Sequence, residues 1–153
     1  MSDQVPIEFD SLAPIEVPEN ECVIGFRGGE YYTVPELGLP KEYFYEAMEL
    51  MIKERPDMCF RVVTDDIPLA SQFFPQVPIS HEIGHDWRSM RYAKYAIISN
   101  SSFYILPRIL HHHENDDFYG HPNPVTVAPR FWARRNTKEW STPANYYRQF
   151  RYI

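Results

Sequence analysis

Lys94 to Phe103, KYAIISNSSF, is the stretch whose reading decides the fold. Tyr95 to Ile98 is a short apolar run with polar residues at both ends. A run of that length, apolar on both faces, reads as a strand in the middle of a parallel sheet. It stops at Ser99-Asn100-Ser101-Ser102, a polar bend rich in hydroxyls and backbone N–H groups, and Phe103 opens a helix. Strand, polar turn and helix start together make an anion site, because unpaired N–H groups and the helix dipole point at the same place. Ligands of open α/β sheets collect at the carboxyl ends of the strands. The binding end is therefore expected at Ser99 to Phe103. The competing reading is that the serines only cap the helix.

Upstream, CVIGF (Cys22 to Phe26) is a second buried-strand run, followed at once by Arg27-Gly28-Gly29-Glu30-Tyr31. The two glycines allow a sharp turn and a close backbone approach. An arginine at a strand end suits a phosphate, since its planar fork donates two parallel bonds. Its alternative is an ion pair with Glu30 or another nearby carboxylate. Pro40 to Arg55 predicts a helix with Phe44, Ala47, Met48 and Met51 on one core-facing stripe. Met58 to Thr64 is the next strand, so strand, helix, strand is complete and a parallel crossover is expected. Asp65-Asp66 ends that strand. Either Asp66 caps a short helix begun at Pro68, or these carboxylates accept hydrogen bonds from a ligand, for which the ring N–H and amino group of guanine are suited.

Val77 to Ser80 reads as an edge strand leading into His81-Glu82-Ile83-Gly84-His85. That string has the zinc-protease form, two histidines four apart with a glutamate between, which requires one continuous helix. Pro75, Pro78 and Gly84 argue against the helix. Asp86 to Ala93 reads as a helix capped by Asp86. Pro107 is expected to kink or shorten the helix after Phe103. His111 to Asp117, with His121, reads as a solvated loop rather than a metal site. Val125 to Ala128 is expected to be the last parallel strand, with an aromatic and basic extension, residues 130–153, packed on the same domain.

The 153 residues predict one domain, and 44% hydrophobic with 16% aromatic content supplies a core. The net charge of −6 argues against a nucleic-acid or membrane surface. No apolar run approaches transmembrane length. Met1 to Leu12 has neither a basic start nor an apolar block, so no signal peptide is expected, and residues 1–20 read as an extended arm. Two cysteines, Cys22 and Cys59, read as lone buried thiols of a reducing, cytoplasmic compartment.

The strings CVIGFRGGEYY, LPKEYFYEAM, FRVVTDDIPLASQFFP, KYAIISNSSF and VTVAPRFWARRNT, in this order, resemble GDP-fucose-dependent fucosyltransferases, above all the α-1,2-fucosyltransferase group and its bacterial relatives. The resemblance spans about Glu21 to Asn136. It implies a GT-B glycosyltransferase whose donor-binding, Rossmann-like lobe, a parallel sheet with helices on both faces, is residues 21–129. It also implies a GDP-sugar donor, a carbohydrate acceptor, inverting transfer and no metal or other cofactor. The family's His-x-Arg-Arg-Gly-Asp-Tyr motif stands here as Gly25 to Tyr31, with Arg27 in the position that grips the diphosphate. Gly25 replaces the histidine, Gly28 the second arginine and Glu30 the aspartate. Asp65 and Asp66 match the aspartates near the guanine pocket. Asn100, Ser101, Ser102 and Phe103 match the phosphate-side turn. Glu30 is the candidate base. Little chain precedes Arg27, so the acceptor lobe is expected from elsewhere: a longer chain, a partner or a second copy. The alternatives are a stand-alone minimal domain and a non-catalytic nucleotide-binding module.

Overall fold

The computed structural model describes residues 13–33, 38–115, 125–130 and 147–153. In strand β1 (Glu21–Phe26) the side chains alternate between two apolar clusters. Cys22, Ile24 and Phe26 enter one, with Phe44, Ala47 and Met51 of helix α1 (Lys41–Glu54) and Ala70 and Phe73 of α2 (Ile67–Phe73). Val23 enters the other, with Met90 of α3 (Ile83–Tyr92) and Tyr104 of α4 (Ser102–Glu114). A strand buried on both faces needs helices on both sides, and β1 has them.

Strand β2 is Cys59–Thr64, β3 Ile79–Ser80, β4 Tyr95–Ile97, β5 Thr126–Ala128 and β6 Arg151–Tyr152. Among the described residues the sheet runs β3-β2-β1-β4-β5-β6, and every pairing is parallel. The fold is α/β and Rossmann-like. The chain winds one way from β1 to β3 and the other way from β4 to β6. Its topological switch point therefore lies between β1 and β4, where the loops after adjacent strands diverge and leave a crevice. No helix among the described residues is long and apolar enough to cross a membrane.

Five expectations are corrected by the structure. Helix α4 does not stop at Pro107 but runs on through His111, His112 and His113 to Glu114. Its buried stripe outweighs the lost backbone bond: fully buried Arg108 donates to the carbonyls of Met90, Ala93 and Lys94 and to Thr126 Oγ1. Those carbonyls lie at the C-terminal end of α3, where a cation is favoured. The histidine run is thus no solvated loop. His111 Nδ1 lies 2.8 Å from the Arg91 carbonyl and His112 Nε2 2.8 Å from Thr126 Oγ1, and both rings are buried. Helix α3 begins at Ile83, not after an Asp86 cap. Strand β5 is not the last, because Arg151–Tyr152 adds β6 at the edge, tied by Ile153 N–H to the Ala128 carbonyl (3.1 Å). Cys59 is exposed at the start of β2, while Cys22 is buried; both are free. Residues 1–12 of the arm, Asp116, Asp117 and His121 of the histidine stretch, and Phe131, Trp132, Arg134, Arg135, Trp140 and Tyr146 of the extension lie outside the described residues.

Candidate functional site

The turns after β1 and β2 are bound to each other. Gly28 N–H donates to Asp65 Oδ1 (2.7 Å), and Gly29 N–H donates to Asp66 Oδ2 (2.8 Å). The glycines are needed there. A Cβ on Gly28 would lie 2.5 Å from the Cβ of Asp66, and Gly29 has φ +57°. The second oxygen of Asp66 accepts from Leu69 N–H (3.1 Å), which caps α2. The second oxygen of Asp65 pairs with Arg27 Nη1. The arginine also stands 4.7 Å over the Tyr31 ring and 3.7 Å from Glu30.

A similar stitch joins the ends of β1 and β4. Ser99 Oγ donates to the Gly25 carbonyl (2.7 Å) and accepts from Arg27 N–H (3.2 Å). Gly25 leaves room for the ring of Tyr104, since a Cβ there would meet that ring at 2.6 Å. The Tyr104 hydroxyl reaches the Phe26 and Val63 carbonyls, at 3.1 and 3.3 Å. Burial pushes its ionisation well above the ordinary tyrosine range, with Asp86 adding to the effect.

Above these stitches opens a cavity of about 420 Å³, within the size range of small-molecule sites. Its wall includes Arg27, Tyr31 and Asp65 from the β1 and β2 turns, Ser101, Ser102 and Phe103 from the start of α4, and His81 and Asp86 from the β3–α3 turn. Arg27 and the Ser/Asn bend, 70-odd positions apart in the chain, thus share one cavity. Ser101 is the N-cap of α4 but makes no side-chain capping bond. The N–H groups of Ser102 and Phe103, in the first turn, have no acceptor within the helix. The cap-only reading of the serines fails on that geometry. A helix start with open N–H groups beside a guanidinium can hold an anion.

The other expected residues divide. Asp65 lines the cavity, but both its oxygens already hold the glycine turn and Arg27. Asp66 lies behind the turn as the α2 cap. Asn100 is buried, 6% exposed, and is not on the cavity wall. Glu30, with a side chain 79% exposed, is also not on the wall.

Sequence reasoning missed His81, Asp86, Tyr31 and Tyr104. The first was legible by the strand-end rule, because it follows β3 as Asp65 follows β2; the zinc pattern obscured it. That pattern lacks its geometry here, since α3 begins at Ile83 and leaves His81 outside the helix that carries His85. Among the described residues no three His, Cys, Asp or Glu side chains cluster as metal ligands. Comparison with protein-family models and with curated proteins returns no match for the chain.

Proposed function

We propose that this chain binds a nucleotide-sugar, GDP-linked, in the cavity at the β1–β4 switch point, as the donor-binding domain of an inverting glycosyl transfer. One observation carries the reading: Arg27 and the open helix start at Ser101 to Phe103 border the same cavity. The diphosphate lies on the Ser102 and Phe103 N–H groups and takes Arg27 as its cation. The sugar points toward the β3–α3 side. An acceptor hydroxyl attacks the anomeric carbon from the face opposite the diphosphate. The bond to the leaving oxygen breaks, and the charge that grows on that oxygen is met by the guanidinium and the helix terminus. The proton of the hydroxyl needs a base on the acceptor side.

The acceptor is a carbohydrate, held by a further lobe or a second copy of the chain. Two free cysteines fit a cytoplasmic setting. Calorimetric titration with GDP tests the site. Arg27→Ala removes a charge-assisted contact of about 1.5–3 kcal/mol, so affinity falls roughly ten- to a hundredfold. Equal affinity in the two proteins excludes Arg27 from the site.

A non-catalytic nucleotide-binding module is the second reading. It is favoured by Gly28, which stands where the resembled family has a second arginine and is closed against Asp66, and by the pairing of Arg27 with Asp65. GDP binding without donor turnover supports it.

A further inference from the structure

We infer that His81 is the base that takes the acceptor proton, a role that rests on the glycosyl-transfer reading above. Strand β3 runs parallel to β2, with Ile79 opposite Val62 and Ser80 opposite Val63. His81 therefore leaves the sheet at the same carboxyl edge as Asp65, on the side of the cavity away from β4. The residues on either side of it are clamped. Ser80 Oγ donates to Asp86 Oδ1 (2.6 Å), and Glu82 N–H donates to Asp86 Oδ2 (2.9 Å). Asp86 is 3% exposed, so the clamp is shielded from water and fixes the turn from which the imidazole projects.

Among the described residues of the wall, elimination leads to the same residue once the hydroxyls of Tyr31, Thr64, Ser101 and Ser102, which are weak proton acceptors near pH 7, are set aside. Arg27 has no acceptor atom. Asp65 and Asp86 have both oxygens engaged inside the protein. The Tyr104 hydroxyl is occupied and held neutral by burial. Glu30 is not on the wall. His81 is exposed and makes no hydrogen bond to another described residue. Imidazole in its neutral form is the side chain best suited to accept a proton near pH 7. The charged groups that share the cavity with it are Arg27, Asp65 and Asp86, and Glu82 and His85 flank it in the chain.

In the step, a ring nitrogen of His81 takes the hydroxyl proton as that oxygen bonds to the anomeric carbon. The carbon–oxygen bond to the diphosphate breaks, and its electron pair leaves with GDP. The products are the glycosylated acceptor, GDP and an imidazolium that returns its proton to solvent. With water as acceptor the products are the free sugar and GDP.

The experiment measures GDP release from GDP-fucose and from GDP-mannose by the full chain and by His81→Gln, beside GDP titration of both proteins. Release is expected to fall about a hundredfold in the variant, the typical share of a general base. GDP affinity should stay within about twofold, because the base acts away from the diphosphate. Release at the wild-type rate by the variant overturns the inference, and so does GDP binding by the wild type without release from either donor. Failure of the wild type to bind GDP overturns the site itself.

Discussion

Asp65→Asn separates two roles for a carboxylate that faces a proposed nucleotide cavity. If Asp65 reads the guanine edge, its loss removes a charged hydrogen bond. GDP then binds about ten- to a hundredfold more weakly, from roughly 1.5–3 kcal/mol. The geometry argues the opposite. One oxygen holds Gly28 N–H and the other holds Arg27, so the carboxylate acts on the ligand only by competing for the guanidinium. Asparagine keeps an oxygen for Gly28 N–H and removes the charge. The ion pair is about 30% exposed on each side chain, 29% and 31%, which limits it to roughly 0.2–1 kcal/mol. A carboxylate some 6 Å from a bound phosphate adds about 1 kcal/mol of repulsion at a high effective dielectric. Removing both terms, about 1.2–2 kcal/mol together, tightens anion binding about eight- to thirtyfold, less at high salt. The assay is calorimetric titration with GDP and, separately, with inorganic pyrophosphate, which has no base. Both should tighten alike in the variant. Weaker GDP binding with unchanged pyrophosphate binding would refute the reasoning and make Asp65 a base-reading residue.

Two further outcomes are expected. Gly28→Ala should cost roughly 2–4 kcal/mol by overpacking and by loosening the Asp66 cap, whereas Gly29→Ala, strained only by its φ of +57°, should cost about 1 kcal/mol. At about 2–4 °C per kcal/mol, thermal unfolding resolves the order, and the reverse order would remove the close approach of Gly28 to Asp66. Burial raises the ionisation of the Cys22 thiol and of the Tyr43 hydroxyl, which donates to the Ile98 carbonyl at 2.7 Å. Both therefore stay protonated in the fold at pH values where the unfolded chain already ionises. Stability should be level with respect to these groups below about pH 8 and should fall as pH rises through the ordinary thiol and phenol range. Denaturant melts from pH 7 to 10.5 measure this, and a Tyr43→Phe protein that falls as steeply as the wild type contradicts the tyrosine share.

Much of the sheet could be read from the chain because its strands carry the signature of double burial. Cys22 to Phe26 and Tyr95 to Ile98 have no polar residue to face water, and each lies between two strands with helices above and below. The helix of residues 41–54 announced itself by Phe44, Ala47 and Met51, three buried residues at helical spacing. Reading failed where tertiary contacts override local preference. Pro107 and three consecutive histidines argue locally for a break, but the bonds of Arg108, His111 and His112 to other elements keep α4 intact. Two-residue strands such as Arg151–Tyr152 have no period to detect; only the partner strand defines them.

The site was legible as a set of strand ends but not as a division of labour among them. Every turn at this edge carries polar residues, and composition alone makes each of them a ligand candidate. Geometry separates them by direction. Ser99 and Asp66 point back into the fold, where one joins β4 to β1 and the other joins the β1 turn to α2. Arg27, Ser101, Ser102 and His81 point to the cavity. The inward residues explain why the outward ones are held. The backbone N–H of Arg27 is fixed by Ser99 and its side chain by Asp65, so its guanidinium is aimed before any ligand arrives. On the proposed reading, the pairing that aims the cation also competes with an anion for it, so Asp65→Asn gains affinity because the lost competition exceeds the added ordering cost.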